Sequence, residues 1–519
     1  MVRVVRPRGH GAAAVEWHVS MVALFAAVGS ACVAAYYFSL SICPPVSTTT
    51  GLGCYFRAAS ALPRGELWTM LAAIFAFLSS VTYPMARFGG ASFLRGRLFQ
   101  PGSLEGTAGP PWTSRLFLVA LMLSYAALQL IEFLLVPAGG SPYSDPQAYY
   151  IPAALDILAG NRCTTSPVES TCNYEHPPLD KLFLALSIRT FGKNLVGYSL
   201  FPVLFGAGSL LLTYGIAKEV SGQKVAQYAA FFLLIDGVFL GMNEQAWTDT
   251  PMFFFGLFAV YVYLSAFRSR PAVKAMVAGS LIGLSILSKE TGLLFVIAIL
   301  AYSFLARHDL SVKRALLLLG AAALVAAVGL ELYDVVLTPF PSFIAHIQYI
   351  LAYNHEIGLS GWAQESWLPF LGGTVIPMAW FLFYPPFGFI STMPEEWLFL
   401  ASVVVAVYLL ARKWESLSPP EGNTILFVFV WMGATWAPFV FAQLFRSTYP
   451  FYMLGMLPGV VIADGWIMTK LTRPMKVVFV IACLAWLAVL FPMTSTAIPL
   501  LPYIGRWLHC ISSACPGGP

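Results

Sequence analysis

Five short polar segments interrupt an otherwise apolar chain, and they hold the side chains that could do chemistry. They are 144–150 (SDPQAYY), 174–181 (YEHPPLDK), 243–249 (NEQAWTD), 288–292 (SKETG) and 445–452 (FRSTYPFY). A carboxylate can accept a proton from a hydroxyl group, and Lys or Arg can bind phosphate oxygens. The residue types therefore predict a site that combines a proton acceptor with an anion-binding pair of cations.

The acidic segments also have plain structural interpretations. Asp145 precedes a predicted short amphipathic helix at 148–158, where an N-cap is the commonest role of Asp. Two consecutive prolines fix an extended turn after Glu175 and His176, which suits a rigid surface turn as well as a site. Asp249 lies in a predicted hairpin and can cap the helix that follows.

The two cations have structural interpretations as well. Lys289 is either an anion ligand or a snorkelling side chain with Glu290 as its ion-pair partner. Arg446 lies among aromatic residues, which fits an interface anchor or a ligand of a lipid phosphate.

The composition dictates which elements must position these segments. Of the 519 residues, 58% are hydrophobic and 10% are charged, and mean hydropathy is +0.75. A soluble domain has roughly 25% charged residues, so that class is excluded. A bilayer span needs about 20 apolar residues, and the sequence predicts an all-α polytopic membrane protein with about 13 spans. They are 18–41, 66–85, 116–137, 194–217, 225–242, 249–267, 273–288, 291–306, 315–338, 396–412, 424–441, 450–469 and 475–493.

Charge predicts the orientation of these spans. With a cytoplasmic N-terminus, 20 of the 29 basic residues fall in cytoplasmic pieces, as the positive-inside rule requires. The five polar segments then lie on the extracytoplasmic face. Segment 339–395 is predicted to be re-entrant or interfacial around 367–383, and the alternative is a fourteenth span that would invert everything after it.

Three regions and three cysteine pairs complete the predicted organisation. Residues 1–115 hold two spans that look like an appendage, 116–493 form the catalytic membrane core, and 494–519 form a short extracytoplasmic tail. The predicted disulfides are Cys43–Cys54, Cys163–Cys172 and Cys510–Cys515, all on the oxidising side. A zinc site is the weaker alternative because no pair has zinc-ribbon spacing.

The order of the polar motifs resembles the dolichyl-phosphate-mannose protein mannosyltransferase family, whose members are membrane glycosyltransferases of the GT-C fold. The resemblance runs from about Arg115 to Lys470. Its motifs are Ser144-Asp145 with Tyr149-Tyr150, the 175–181 run (EHPPLDK), Leu204-Phe205-Gly206, Asp249, Gly279 and Gly283 before Lys289-x-Thr291-Gly292, and Arg446 with Tyr449, Tyr452 and Pro458.

The chain also departs from the family pattern. Pro146 stands where a second acid is common, and Ser199 or Leu200 where many members have Arg. The β-trefoil insert of eukaryotic members and the Trp-Trp-Asp-Tyr-Gly signature of oligosaccharyltransferases are missing from the sequence. The second absence argues against transfer of a whole glycan to Asn.

The resemblance implies a function and assigns roles. The donor would be a polyprenyl or dolichyl phosphate sugar carrying mannose or another hexose. The acceptor would be a hydroxyl of protein Ser/Thr or of a glycan, attacked with inversion on the extracytoplasmic face. Asp145 would be the catalytic base; Lys289, Arg446 and Tyr449 would bind the donor phosphate; and Glu175, His176, Asp249, Lys181 and Tyr149 would bind substrate. No cofactor is obligatory, although Asp145, Glu175, His176 and Asp249 could bind a divalent metal; nucleic acid is not expected as a partner.

A transporter or flippase of a lipid-linked or anionic substrate is the competing interpretation. Charges within predicted spans mark pathways in such proteins, and here they are Glu132, Asp236, Glu331 and Asp334. The sequence shows no inverted repeat, and its motifs gather on one face, which favours the enzyme.

Overall fold

The computed structural model describes nine stretches of the chain: 111–135, 146–160, 173–243, 246–265, 270–307, 311–364, 394–412, 417–442 and 450–490. Within these stretches every regular element is a helix. The first half holds α1 (Pro111–Leu135), α2 (Ile151–Ala159), α3 (Leu179–Phe191), α4 (Leu195–Ser221), α5 (Gln223–Ile235), α6 (Gly237–Asn243), α7 (Asp249–Leu264) and α8 (Pro271–Ser288). The second half holds α9 (Leu294–Tyr302), α10 (Val312–Leu337), α11 (Phe343–Gln364), α12 (Pro394–Arg412), α13 (Pro419–Thr435), α14 (Ala437–Ala442), α15 (Leu457–Lys470) and α16 (Arg473–Leu490).

Helical elements lie at all the predicted spans from 116–137 onward. Four stretches are long and apolar enough to cross a membrane by length and composition, namely α4, α8, α10 and 420–442, and the bent pair α5–α6 makes a fifth if it is one span. Several other predicted spans are shorter apolar helices, including α7 and the stretch Glu290–Ala306. The protein is an integral membrane protein, whereas the predicted total of 13 spans is not confirmed.

Several predictions lie outside the described residues. They are the spans 18–41 and 66–85, the tail 494–519, segment 367–383 and all six cysteines of the predicted disulfides. The appendage, core and tail boundaries therefore stay predictions. The short helix expected at 148–158 is confirmed as a π-helical turn, Pro146–Tyr150, followed by α2.

Local side-chain chemistry sets where the long helices begin and end. The Asn194 side chain accepts a hydrogen bond from the main-chain N–H of Gly197 at 3.0 Å and caps α4. Ser311 caps α10 in the same way, through the N–H of Arg314 at 3.3 Å. Gly222, with φ of +90°, separates α4 from α5 because its backbone conformation strains any other residue.

Two glycines allow α8 and α10 to pack with their backbones in close contact. A Cβ added at Gly279 would lie 2.3 Å from the carbonyl oxygen of Leu318, and one at Gly283 would lie 2.8 Å from that of Ala322. Small residues four apart are the usual means by which membrane helices approach closely. Gly279 and Gly283 therefore fix the position of α8 along the axis of α10.

A bend of 60° separates α5 from α6. Asp236 lies at the break with an extended ψ of 131°, and its Oδ1 accepts a hydrogen bond from the N–H of Phe239 at 2.7 Å. This buried carboxylate therefore caps α6, which satisfies one of the main-chain donors that the break exposes.

Candidate active site

A buried ion pair lies where α7 begins and α8 ends. Asp249 is in the first turn of α7 and Lys289 directly follows α8; the Lys289 Nζ and Asp249 Oδ2 atoms are 2.6 Å apart. The two side chains are 4% and 1% exposed. The alternative that Glu290 is the ion-pair partner of Lys289 is wrong in this structure, because Lys289 pairs with Asp249 while the Glu290 carboxylate lies 3.5 Å from the ring nitrogen of His176.

Two aromatic rings line the Lys289 ammonium group. Its Nζ lies 5.0 Å from the ring centre of Phe451 and 5.1 Å from that of Tyr452, within the range of cation–π attraction. Burial lowers the pKa of Lys289, but Asp249, Tyr452 and Glu290 outweigh it, so its pKa lies above the usual range. Lys289 is therefore a protonated cation. Phe451 and Tyr452, which contact it, belong to the same polar segment, 445–452, as Arg446.

The loop before α3 is held in shape by Lys181. This side chain is fully buried, and its ammonium group donates to the carbonyl oxygen of Asn173 and, at 2.7 Å, to that of His176. Asn173 adopts a positive φ of 51° and donates from its side chain to Glu175 at 2.8 Å. Lys181 thus fixes the backbone of the loop at two carbonyl oxygens. Its contact with substrate stays a prediction.

His176 is the most accessible of the predicted substrate-binding residues in this loop. Its Nδ1 lies 3.5 Å from Glu290 Oε2, and the two side chains are 22% and 37% exposed. The ring of Tyr150 meets the His176 ring edge to face, with centres 6.0 Å apart. These contacts bring the 146–150 turn, the loop before α3 and the turn after α8 together.

Asp180 is a buried acid that the sequence analysis left out of the site. It lies in the first turn of α3, and its Oδ2 has no hydrogen-bond partner among the described residues. Burial raises the pKa of Asp180 to about 7, with Lys181 lowering it and Asp249 raising it further. Its place beside Lys181 in the 174–181 run was the available signal, but a helix-opening Asp ordinarily indicates only a favourable charge at an N-terminus.

The structure thus brings together the segments that hold six of the predicted site residues, including Lys181 beneath the loop. The six that come from segments meeting at this cluster are Tyr149, Glu175, His176, Lys181, Asp249 and Lys289. The other three, Asp145, Arg446 and Tyr449, lie outside the described residues. Among the described residues no group of three or more His, Cys, Asp and Glu side chains is arranged to hold a metal ion. The described part of the cluster offers the Lys289 cation, the partly exposed His176–Glu290 pair and the buried acid Asp180, whose pKa is about 7.

A match to a known protein family covers part of this cluster. The family model described as dolichyl-phosphate-mannose-protein mannosyltransferase matches residues 175–330, which contain Glu175, His176, Asp249 and Lys289. The resemblance to that family is confirmed. The polyprenol-phosphate-mannose–protein mannosyltransferase of Corynebacterium glutamicum is 31% identical over 123 residues, which are 23% of this chain and 24% of that protein.

Two longer matches cover most of the chain. An uncharacterized protein of Aquifex aeolicus is 22% identical over 384 residues, 69% of this chain and 67% of that protein. The structure of ArnT from Cupriavidus metallidurans bound to undecaprenyl phosphate superposes with a TM-score of 0.52 at 14% identity, covering 78% of this chain and 70% of that one. This likeness shows a shared fold, and the family match supports a glycosyltransferase of the polyprenyl-phosphate-dependent GT-C type.

Proposed function

We propose that the chain transfers mannose or another hexose from a polyprenyl or dolichyl phosphate to a hydroxyl group of a protein or glycan. Transfer takes place on the extracytoplasmic face with inversion at the sugar carbon. The observation that carries the proposal is the convergence of two side-chain pairs at one cluster within the family match. The pairs are Asp249–Lys289 and His176–Glu290, and they come from three separate segments of the chain.

The chemistry of the reaction explains why such groups are needed. A hydroxyl group is a poor nucleophile, so Asp145 accepts its proton as the oxygen attacks the sugar carbon. The bond from that carbon to the phosphate oxygen breaks, and the lipid phosphate leaves with both electrons. Lys289, with Arg446 and Tyr449, stabilises the charge that develops on the phosphate.

The pairing of Lys289 with Asp249 shapes this proposal. The Asp249 carboxylate lies 2.6 Å from the Lys289 ammonium group. A phosphate that approaches Lys289 is therefore also repelled by Asp249, and Lys289 alone attracts it weakly. Arg446 supplies the second cation, and its planar fork can bind two phosphate oxygens. Glu175, His176 and Tyr149 face the sugar or the acceptor, while Asp249 holds the Lys289 ammonium group in place.

Three of the four charges within the predicted spans have local partners, which supports an enzyme over a transport pathway; the side chain of the fourth, Glu132, is outside the described residues. Asp236 caps α6, Glu331 Oε2 accepts a hydrogen bond from the N–H of Phe343 at 2.8 Å, and Asp334 lies 2.7 Å from His346. Each of these three residues therefore stabilises a helix end or a turn.

A transfer assay tests the proposal. The purified chain in lipid nanodiscs would be given a panel of polyprenyl-phosphate sugars with Ser/Thr peptides or free glycans as acceptors, and product would be followed by mass spectrometry. We expect one donor to be consumed by wild type, and Lys289→Met to reduce turnover by about 100-fold or more. Lys313→Met, at an exposed position in the first turn of α10, is the matched control and should keep wild-type turnover.

Two outcomes would contradict the proposal. No consumption of any donor by folded wild type would argue against the enzyme. Movement of an intact lipid-linked sugar across a vesicle membrane, without its cleavage, would establish the transporter instead.

A further inference from the structure

A second cluster of buried polar groups lies behind the active-site loop. The His346 ring of α11 has Nδ1 at 2.7 Å from Asp334 Oδ1 and Nε2 at 2.8 Å from the main-chain carbonyl oxygen of Tyr174. The side chains of His346 and Asp334 are 0% and 1% exposed. Tyr174 immediately precedes Glu175, so the ring connects α10 and α11 directly to the loop that holds the predicted substrate ligands.

The hydrogen-bonding capacity of these atoms fixes their roles. A carbonyl oxygen can only accept, so Nε2 carries a proton and donates it to Tyr174. One more proton lies between Nδ1 and the Asp334 carboxyl group, since otherwise two acceptors would face each other at 2.7 Å in a site without water contact. Asp334 Oδ1 also accepts from the Thr338 hydroxyl at 3.0 Å, which orients the carboxyl group from the end of α10.

Aromatic packing holds the His346 ring in this orientation. Phe340 stacks on it with ring centres 4.4 Å apart and planes 16° apart, and Tyr174 meets it edge to face at 6.0 Å. The fully buried Tyr174 ring packs into a small apolar cluster with Leu287, Leu330 and Tyr333. The ring of Tyr174 and its carbonyl oxygen are therefore both fixed by the α10–α11 corner.

We infer that His346, oriented by Asp334, is a positioning residue of the proposed transferase. It tethers Tyr174, and through it sets the place of Glu175 and His176 one and two residues later. Lys181 binds the carbonyl oxygens of Asn173 and His176 from the opposite side. The loop is thus held from two sides. On the side of α10 and α11, which contribute no side chain to the described active-site cluster, His346 binds the Tyr174 carbonyl oxygen, and the Tyr174 hydroxyl donates to the carbonyl oxygen of Leu337 at 3.4 Å.

The tether predicts a defect in placement that differs from a loss of stability. A ligand displaced by about 1 Å can lower turnover by about 100-fold. In His346→Gln a single amide cannot reach both Asp334 and Tyr174 across the span of the ring. We expect kcat to fall by about 10- to 100-fold with little change in KM for the donor, because the phosphate site at Lys289 is built on other helices.

The experiment combines turnover with hydrogen–deuterium exchange of the full chain in nanodiscs. Exchange reports local opening of the backbone without any substrate. The expected result is faster exchange in the peptide covering 173–181 in His346→Gln, at a temperature where α4 and α7 keep wild-type protection. Tyr333→Phe is the matched control, because it keeps the ring beside His346, and it should change neither exchange nor kcat. Asp334→Asn provides a second route to the same test if His346→Gln does not fold.

The tether rests on the proposed function only for its kinetic arm. If wild type transfers no sugar but His346→Gln still loosens 173–181, the proposed function fails and the tether stands. If wild type is active and His346→Gln and Asp334→Asn fold with unchanged exchange and unchanged kcat, the tether is wrong. An equal loss of protection over all helices, together with an equal fall in kcat for Tyr333→Phe, would reduce His346 to a general packing residue and also overturn it.

Discussion

Removing one partner of the buried Asp249–Lys289 pair should destabilise the protein by several kcal/mol, and removing both should restore part of that loss. Each single change leaves a charge in a site where the side chains are 1% and 4% exposed. Loss of one partner of a buried pair costs about 3–5 kcal/mol. The α7 N-terminus favours a lone Asp249, and the rings of Phe451 and Tyr452 favour a lone Lys289, so we expect the lower end, about 3 kcal/mol.

The measurement is a double-mutant cycle with Asp249→Asn and Lys289→Met. Unfolding of the full chain in mixed micelles would be followed by tryptophan fluorescence as denaturing detergent is added. The double variant leaves no unpaired charge, so we expect a coupling energy of about 2–3 kcal/mol. If the costs of the two single changes add up to the cost of the double change to within about 0.5 kcal/mol, the two residues are independent and the buried pair is refuted. The half-exposed Glu421–Lys470 pair is the control, and its Lys470→Met variant should lose less than about 1 kcal/mol.

The remaining predictions concern the base, the second cation, a buried acid and a cysteine pair. Asp145→Asn should abolish transfer while the protein stays folded, because the amide cannot accept a proton; near wild-type turnover would exclude this base. Arg446→Lys should lower kcat markedly, because a point charge replaces a bidentate fork, and an unchanged kcat would argue against a phosphate there. Burial raises the pKa of Asp180 from about 4 to about 7, so this residue favours folding below pH 4 and loses that contribution as the pH rises to 7. Asp180→Asn should therefore make the free energy of unfolding less dependent on pH between about 4 and about 7. Parallel curves of stability against pH for the wild type and the variant would contradict this. Cys163 and Cys172 should be joined in a nonreduced digest examined by mass spectrometry, and two free thiols would rule out the pair.

Helix positions could be predicted because lipid exposure demands long apolar runs. The predicted span 194–217 corresponds to Leu195–Ser221, and 315–338 to Val312–Leu337, since nothing but a helix satisfies the backbone in such runs. Whether each helix crosses the membrane was harder to predict, because elements such as α7 are 16 residues long and a bend divides α5 from α6.

The residue types of the site could be predicted, but their pairing could not. Asp249 and Lys289 are 40 residues apart, and only the packing of α7 on α8 joins them. Sequence proximity offered Glu290 as one alternative partner of Lys289, whereas the structure places the Glu290 carboxylate beside His176. His346 carried no motif, and its role depends on the chain returning to Tyr174, 172 residues earlier.

The glycine contact between α8 and α10 makes the position of Lys289 sensitive to distant changes. Gly279 lies ten residues before Lys289, about 15 Å along the helix, or about half the thickness of the hydrocarbon layer. A methyl group at Gly279 would meet the Leu318 carbonyl oxygen at 2.3 Å, so α8 would have to slide or tilt as a rigid rod. The ammonium group at its end would move with it. A substitution at this buried helix contact, far from any reacting atom, would thereby misplace the charge that the proposed leaving group needs.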